Sequence, residues 1–352
     1  MPQVFAVDPQ HPAPGTIARA AQILRAGGLV AFPTETVYGL GANALDEAAV
    51  ARIFAAKERP AYDPLIVHLA RPEDVDQVAG EVPEVARRLW AHFAPGPLTL
   101  ILPKHPRVPT NVTAGRDTVA VRIPSHPVAR ALIQAAGVPV AAPSANRFGH
   151  VSPTTAQHVL ADLGDAVDVV LDAGPTPVGV ESTILDVTQD PPVLLRPGGV
   201  PVEALEAVLG RSIRRAGPHP EGQPAPAPGT LPRHYAPRVP LWLFDGPPDW
   251  ARTMMLDTAA LLQQQGLSVA VLVPDEDRVL FADRGLMVFS LGPEDDATTA
   301  AARLFQGLRA LEAQAPHAIL ARTLPEQGLG LAVNDRLRRA ATHILRAATR
   351  IA

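Results

Sequence analysis

Residues 32–68 gather Thr34, Thr36, Lys57, Arg59 and His68 around the short glycine pair Gly39 and Gly41. Hydroxyls, backbone amides, two cations and an imidazole within one short stretch suit a small, highly anionic ligand. Lysine meets phosphate as a point charge and arginine as a two-pronged fork. Lys57 is one of only two lysines, with Lys104, in a chain whose other basic residues are arginines. Five further segments add groups of the same kind. Thr118, Ala120 and Arg122 alternate along a strand and share one face. An arginine on a central strand needs an anionic partner. Ala142, Ser144 and Asn146 combine small and polar residues, which lets a ligand approach the backbone closely. Ser152 opens Ser-Pro-Thr-Thr, the expected start of a helix with free amides. Ser182 follows Glu181 just before an apolar run, and Arg196 precedes Pro-Gly-Gly. All five segments fall near expected strand ends, where open α/β sheets bind ligands.

Several chemistries are excluded. There are no cysteines, so thiol nucleophiles, disulfides and cysteine-ligated metal sites are ruled out. No GxxxxGK[ST] or GxSxG motif occurs, and Gly39-Leu40-Gly41 lacks the third glycine of a dinucleotide fingerprint. Net charge −4 and 4% aromatic residues argue against a nucleic-acid-binding protein, the alternative that a basic concave face would otherwise support. No basic leader with a long apolar run is present, so a soluble, cytoplasmic protein without membrane attachment is expected.

The elements that must position these groups follow from periodicity. Ile17, Ala20, Ala21 and Leu24 form the apolar stripe of a helix over 16–26, stopped by Gly27-Gly28. A strand is expected at 29–32, then a turn at 33–36 and a glycine-rich bend at 39–41. Asp46 caps a helix carrying Val50, Ile53 and Phe54, which ends before Pro60. Strands at 65–69, 98–102, 118–123, 138–142, 167–171, 183–187 and 193–195 alternate with helices at 83–93, 126–136 and 153–163. Eight prolines between Pro218 and Pro240 make residues 211–239 a semi-extended linker. Beyond it, strands and helices alternate again, as in a smaller α/β domain with parallel strands. The expected division is 1–210, a linker at 211–239, and 240–352.

The ordered segments FPTETVYGLGANA, KERP…DPLIVH, PGPLTLIL, VAVRIPSHP, AAPSANRFGHVSPT, GVESTILD and LLRPGG resemble the YrdC-like domain. With RHYAP in the linker and a small α/β domain behind it, the whole chain resembles the two-domain L-threonylcarbamoyladenylate synthases. The resemblance implies an α/β fold: a YrdC-like twisted mixed sheet with surrounding helices, plus a Rossmann-like second domain. It also implies a nucleotidyltransferase that joins L-threonine, bicarbonate (or CO2) and ATP into threonylcarbamoyl-AMP and diphosphate. Mg2+ would accompany ATP, and a downstream threonylcarbamoyl transferase would carry the group to tRNA. The linker would fold over the active site. By the same resemblance, Thr36, His68, Arg122 and Ser182 would hold threonine. Arg59, Asp63, Thr118, Ala142, Ser144, Ser152, Arg196 and Tyr235 would hold ATP, and Lys57, Arg59 and His68 would serve catalysis. This chain has Asp63 where family members usually have asparagine. A carboxylate there repels a triphosphate unless it meets Mg2+ or an amine.

Overall fold

The computed structural model describes residues 1–217 and 225–347. The chain divides into two compact units. One holds Met1–Phe148 and Ser152–Pro232, and the other holds Gly149–Val151 and the chain from Arg233 onward.

The first unit begins with β1 (Gln3–Ala6), α1 (Pro14–Arg25), β2 (Val30–Pro33), β3 (Tyr38–Asn43), α2 (Glu47–Lys57) and β4 (Ile66–His68). It continues with α3 (Glu84–Phe93), β5 (Leu98–Pro103), β6 (Thr118–Arg122), α4 (Pro127–Ala136), β7 (Val140–Ala141) and α5 (Ala156–Leu163). β8 (Val169–Asp172), β9 (Thr183–Asp186), β10 (Val193–Arg196), α6 (Val202–Leu209) and β11 (Arg214–Arg215) complete it. Among the described residues, these strands form one mixed sheet in the order β1-β8-β2-β3-β7-β4-β6-β5-β9-β10-β11.

Local sequence explains the helices that flank this sheet. The stripe Ile17, Ala20, Ala21 and Leu24 is buried in one cluster with Val128, Leu132 and Ile133 of α4 and with Val30 and Phe32 of β2. Asp46 caps α2 by accepting hydrogen bonds from the amides of Ala48 and Ala49. Lys57 is the last residue of that helix and is buried.

Three departures from the sequence expectations matter for the site. Gly39-Leu40-Gly41 is not a bend but lies within β3, which pairs antiparallel with β2. Glycine is needed there because the sheet is covered closely: a Cβ on Gly41 would lie 2.7 Å from Phe32 and 2.9 Å from Val140. Residues 32–68 are therefore a hairpin, a helix and a strand, rather than a strand, a helix and a strand. The helix expected from Pro153 begins at Ala156, capped by the Thr155 hydroxyl, so Ser152 lies outside it. The first residues of the proline-rich segment, Arg214–Arg215, extend the sheet beside β10. Residues 218–224 of that segment lie outside the described residues.

The second unit contains β12 (Leu241–Asp245), α7 (Pro248–Gln264), β13 (Val269–Val273), α8 (Asp275–Phe281) and β14 (Met287–Ser290). α9 (Ala297–Glu312), β15 (Ala318–Arg322), α10 (Gly330–Ala340) and β16 (His343–Arg346) follow. Its strands pair in parallel in the order β14-β13-β15-β12-β16. Phe244, Met255, Val271, Phe281 and Leu320 lie in its core. No helix among the described residues is long and apolar enough to cross a membrane.

Candidate active site

His68, Arg122 and Arg196 are the last residues of β4, β6 and β10, and Ser182 stands just before β9, so these candidate groups lie at strand ends and share a face of the first sheet. Strand register builds this face. His68 on β4 is level with Arg122 on β6, and Arg122 is level with Thr99 on β5. Thr99 is level with Ile184 on β9, which is level with Arg196 on β10. Residues directly opposite each other in a ladder point to the same side. His68, Arg122, Thr99, Ile184 and Arg196 therefore form one row across five strands. A bulge in β10 between Leu194 and Arg196 brings both Leu195 and Arg196 to this side. Next to the polar row lies an apolar one, in which Ile66, Ala120 and Ile101 pack with Ile184. Thr118 stands at the start of β6 on the same face, half-buried.

Loops clip polar groups onto the row. Arg122 Nη2 donates to Thr36 Oγ1 at 2.9 Å and lies 2.9 Å from the Glu35 carboxylate. The anionic partner that a central-strand arginine requires is thus Glu35, itself buried and accepting from the Ser125 amide. Thr34 and Thr36 share a hydroxyl hydrogen bond at 2.8 Å. Ser182 Oγ is 2.7 Å from Thr99 Oγ1. Arg196 donates to the Ser182 carbonyl through Nε and Nη2 and to the Ser182 hydroxyl at 3.2 Å. The 178–183 loop is tied to the threonine turn, because Val178 and Gly179 donate their amides to the carbonyls of Glu35 and Thr36. Gly198 seals the other side. A Cβ there would stand 2.3 Å from the Glu181 carbonyl, so only glycine admits this contact.

The basic residues at the end of α2 and just beyond it are less accessible than a solvated helix end would make them. Arg59 is buried, donates to the carbonyls of Asp63 (3.0 Å) and Pro64 (2.7 Å), and lies 2.9 Å from the Asp63 carboxylate. Burial pushes the Asp63 carboxyl up, against the opposing pull of Arg59, Lys57 and Arg196. Asp63 thus meets the Arg59 guanidinium. Lys57 donates to the carbonyls of Ser144, at 2.5 Å, and Asn146. Burial, and then the neighbouring Arg59 charge, hold its ammonium well below the usual lysine range. Ala142 donates its amide to the Ile66 carbonyl, and Ser144 bridges to Gly39 of β3. Ser152 is buried and its hydroxyl donates to Glu181.

His68 is a neutral imidazole. Burial first, and the Arg122 charge second, lower its pKa to about 3. Its Nδ1 is buried and has no hydrogen-bond partner in the protein. A buried ring nitrogen left in this way can take a hydrogen bond from a ligand.

Residues 225–230 cross the same face. Ala227 is fully buried against Ile66, Ile101, Ala120 and Ile184. Arg196 Nη1 donates to the Pro228 carbonyl at 3.0 Å, Arg116 Nε donates to the Ala225 carbonyl at 2.8 Å, and Ala225 donates its amide to Tyr62. Tyr235 belongs to the second unit. It is buried there, 5.7 Å from the Phe305 ring and 4.9 Å below the Arg336 guanidinium, with φ at +63°.

Three residues of this network were not selected from sequence. Glu35 and Glu181 each carry a carboxylate inside a stretch of hydroxyl and apolar residues, which signals a buried charge with a fixed partner. Thr99 gave no signal, being one hydroxyl within the strand sequence Leu-Thr-Leu-Ile-Leu. No group of three or more histidine, aspartate or glutamate side chains among the described residues is placed to hold a metal ion.

Residues 22–198 match the Sua5, YciO and YrdC family model, described as telomere recombination. Residues 200–342 match a model described as the C-terminal domain of threonylcarbamoyl-AMP synthase. A threonylcarbamoyl-AMP synthase of Pyrococcus abyssi is 47% identical over 91% of this chain and 92% of its own length. The chain belongs to the threonylcarbamoyl-AMP synthase family. The Bacillus subtilis synthase is 44% identical over 92% of each chain. The crystal structure of P. abyssi Sua5 complexed with L-threonine superposes with a TM-score of 0.91 at 44% identity, covering 98% of this chain and 99% of that one. Escherichia coli YciO, at 28% identity and a TM-score of 0.50, covers 56% of this chain and 96% of its own. The family is thus one of enzymes with a mixed α/β first unit, and this chain carries the longer, two-part form.

Proposed function

We propose that the polar face of the first sheet condenses L-threonine, bicarbonate-derived CO2 and ATP into threonylcarbamoyl-AMP and diphosphate. One observation carries the reading: Arg122 and Arg196 stand in one register row with a neutral buried imidazole at its end and hydroxyls between and beside them. A row of this kind can hold two anions at once and screen their repulsion. Charge-assisted hydrogen bonds contribute roughly 1.5–3 kcal/mol each, so a few of them offset much of the cost of bringing a carbamate to a triphosphate. The relative of known structure binds L-threonine, and this supports threonine as the amino acid.

In this reading Arg122, with Thr36 and Ser182, receives the threonine carboxylate and hydroxyl. His68 accepts a hydrogen bond at Nδ1 from the substrate. An imidazole with a pKa of about 3 is too weak a base to deprotonate an ammonium group, so His68 orients the substrate and does not take its proton. The neutral amine of threonine adds to CO2, forming a C–N bond and releasing a proton, which gives a carbamate. A carbamate oxygen then attacks the α-phosphorus of ATP. The bond from that phosphorus to the bridging oxygen breaks, and diphosphate leaves with the electron pair. The transferred group is an adenylyl, which makes the enzyme a nucleotidyltransferase. No step needs a protein nucleophile, so catalysis is positioning and electrostatic stabilisation.

Arg196 and Arg59 face the phosphates, with Thr118, Ala142, Ser144 and Ser152 around the nucleotide. Asp63 keeps Arg59 in place, and Lys57 fixes the backbone of the Ser144 loop. Residues 225–230 cover the bound substrates as the linker closes. Glu35, Asp63 and Glu181 are committed to Arg122, Arg59 and Ser152. That fits Mg2+ held by the phosphates of ATP, which is the ordinary manner for this ion. A transferase acting on tRNA would consume the product. The decisive test measures diphosphate release with ATP, threonine and bicarbonate. Release is expected only when all three are present, and release that ignores threonine would overturn the proposal.

A further inference from the structure

Two buried hydroxyls, those of Thr99 and Ser182, stand near the middle of the polar row. Ile184 is level with Thr99, and Ser182 lies two residues before Ile184, so strand alternation puts both hydroxyls on one face. Their oxygens are 2.7 Å apart. Backbone contacts hold the two segments at this spacing. Thr183 donates its amide to the Pro97 carbonyl, and Arg196 grips the Ser182 carbonyl through Nε and Nη2 at 3.1 and 2.9 Å. Thr99 is also level with Arg122, the residue assigned above to threonine.

A hydroxyl carries one proton and two lone pairs, whereas a guanidinium only donates. The 3.2 Å contact from Arg196 Nη2 therefore occupies one lone pair of Ser182 Oγ. Among the described residues, Thr99 Oγ1 bonds to Ser182 Oγ alone, and Ser182 Oγ bonds to Thr99 and Arg196. The two hydroxyls hold two protons, and their mutual bond uses one. The other has no acceptor in the protein, and a buried donor left unmet is costly. An anion bound on the row meets it. If Thr99 donates to Ser182, the spare proton is on Ser182, whose oxygen then accepts from a hydroxyl and a guanidinium at once. Bonds accepted by a hydroxyl strengthen the one it donates. That arrangement offers the anion the stronger donor.

We propose that Thr99 is a positioning residue. Its hydroxyl fills the second lone pair of Ser182 Oγ and so turns the Ser182 proton towards the threonine carboxylate, without touching the substrate itself. This role rests on the reading that Ser182 holds threonine.

The test uses the full-length enzyme with Thr99→Val, Thr99→Ser, Ser182→Ala and the double variant Thr99→Val with Ser182→Ala. Initial rates of diphosphate release are measured against threonine and against ATP, with Tm in parallel. Thr99→Val keeps the branched shape and removes the hydroxyl. It should raise the KM for threonine about threefold to tenfold, the contribution of one neutral hydrogen bond, while the KM for ATP stays within about twofold. The carboxylate keeps its charge throughout the reaction, so kcat should change by less than about twofold. Thr99→Ser retains a hydroxyl and should recover most of the loss. Ser182→Ala should also raise the KM for threonine, and the double variant should match it within about twofold, because Thr99 acts through Ser182. Effects that multiply would place Thr99 on the substrate and overturn the relay, as would a lower Tm with an unchanged KM for threonine in Thr99→Val. If Ser182→Ala raises that KM while Thr99→Val does not, only the relay fails. If Ser182→Ala leaves it unchanged, the assignment of Ser182 to threonine fails and the relay with it.

Discussion

Arg122 allows stability and substrate binding to be separated in one experiment. Arg122→Met keeps an unbranched side chain of similar reach, so the cavity left is small. What is lost is the ion pair to Glu35 and the hydrogen bond to Thr36, both at 2.9 Å and both buried. Removing one partner of a buried pair strands the other charge, at a cost of roughly 3–5 kcal/mol. The variant should therefore lose about that much stability in urea titrations followed by circular dichroism. The KM for threonine should rise between about 10-fold and about 100-fold, the range that one lost charge-assisted hydrogen bond represents. Adding Glu35→Gln removes the stranded charge while its amide oxygen can still accept from the Ser125 backbone. The double variant should regain at least about 2 kcal/mol of stability, yet the KM for threonine should stay high. If the double variant regains threonine affinity as well, Arg122 serves only to neutralise Glu35, and its place in the substrate row is wrong. A stability loss below about 1 kcal/mol would mean that the pair is not truly desolvated.

His68 carries a pH signature. Its folded pKa, about 3, lies below the ordinary histidine value of 6.5, so between these values the unfolded chain binds more protons. Stability from this residue is full above about pH 6.5 and falls as the pH drops towards 3, by up to about 1.4 kcal/mol per unit. His68→Asn should show a shallower decline than the parent between pH 7.5 and 5.5 in urea unfolding, and an identical decline would refute the assignment. Arg59→Ala and Arg196→Ala should each raise the KM for ATP about tenfold or more in the diphosphate assay, and unchanged ATP kinetics in both would remove them from the nucleotide side. Ala227→Arg places a charge against Ile66, Ile101, Ala120 and Ile184. It should reduce turnover while leaving secondary structure by circular dichroism intact, and full turnover would show that residues 225–230 have no part in closure. Chelation by EDTA should stop diphosphate release and added Mg2+ should restore it; release that persists without free divalent cation would exclude the metal from the reaction.

Periodicity carried most of the fold. The stripe of α1, the Asp46 cap and the polar–apolar alternation of β6 are local features, and each is found where the residues indicated. β3 was missed because glycine reads as a turn in isolation, whereas here it is required by Phe32 and Val140 on the face of the sheet. β1 has an almost wholly exposed pattern, and α6, α8 and β16 are short, so none offered the periodicity that marks a longer buried element. In the site, residue types were legible and geometry was not. The need of Arg122 for an anion could be read from its strand, but the identity of that anion depends on a turn more than 80 residues earlier in the chain. Likewise, Lys57 reads as a cation offered to an anionic ligand, and only the fold turns its ammonium to two backbone carbonyls.

The register row has an evolutionary consequence. Arg122 and Arg196 are separated by three inter-strand steps, about 14 Å at the usual spacing of about 4.8 Å. Positions on a ladder come in whole steps, so this separation cannot drift gradually. Deleting one residue from β5 would bring a leucine to the place of Thr99 and turn every later side chain of that strand to the opposite face. Strand lengths between these two arginines are therefore frozen, while the loops beyond them are free to lengthen. Descendants of this chain can retune what the face binds only by exchanging side chains at fixed addresses.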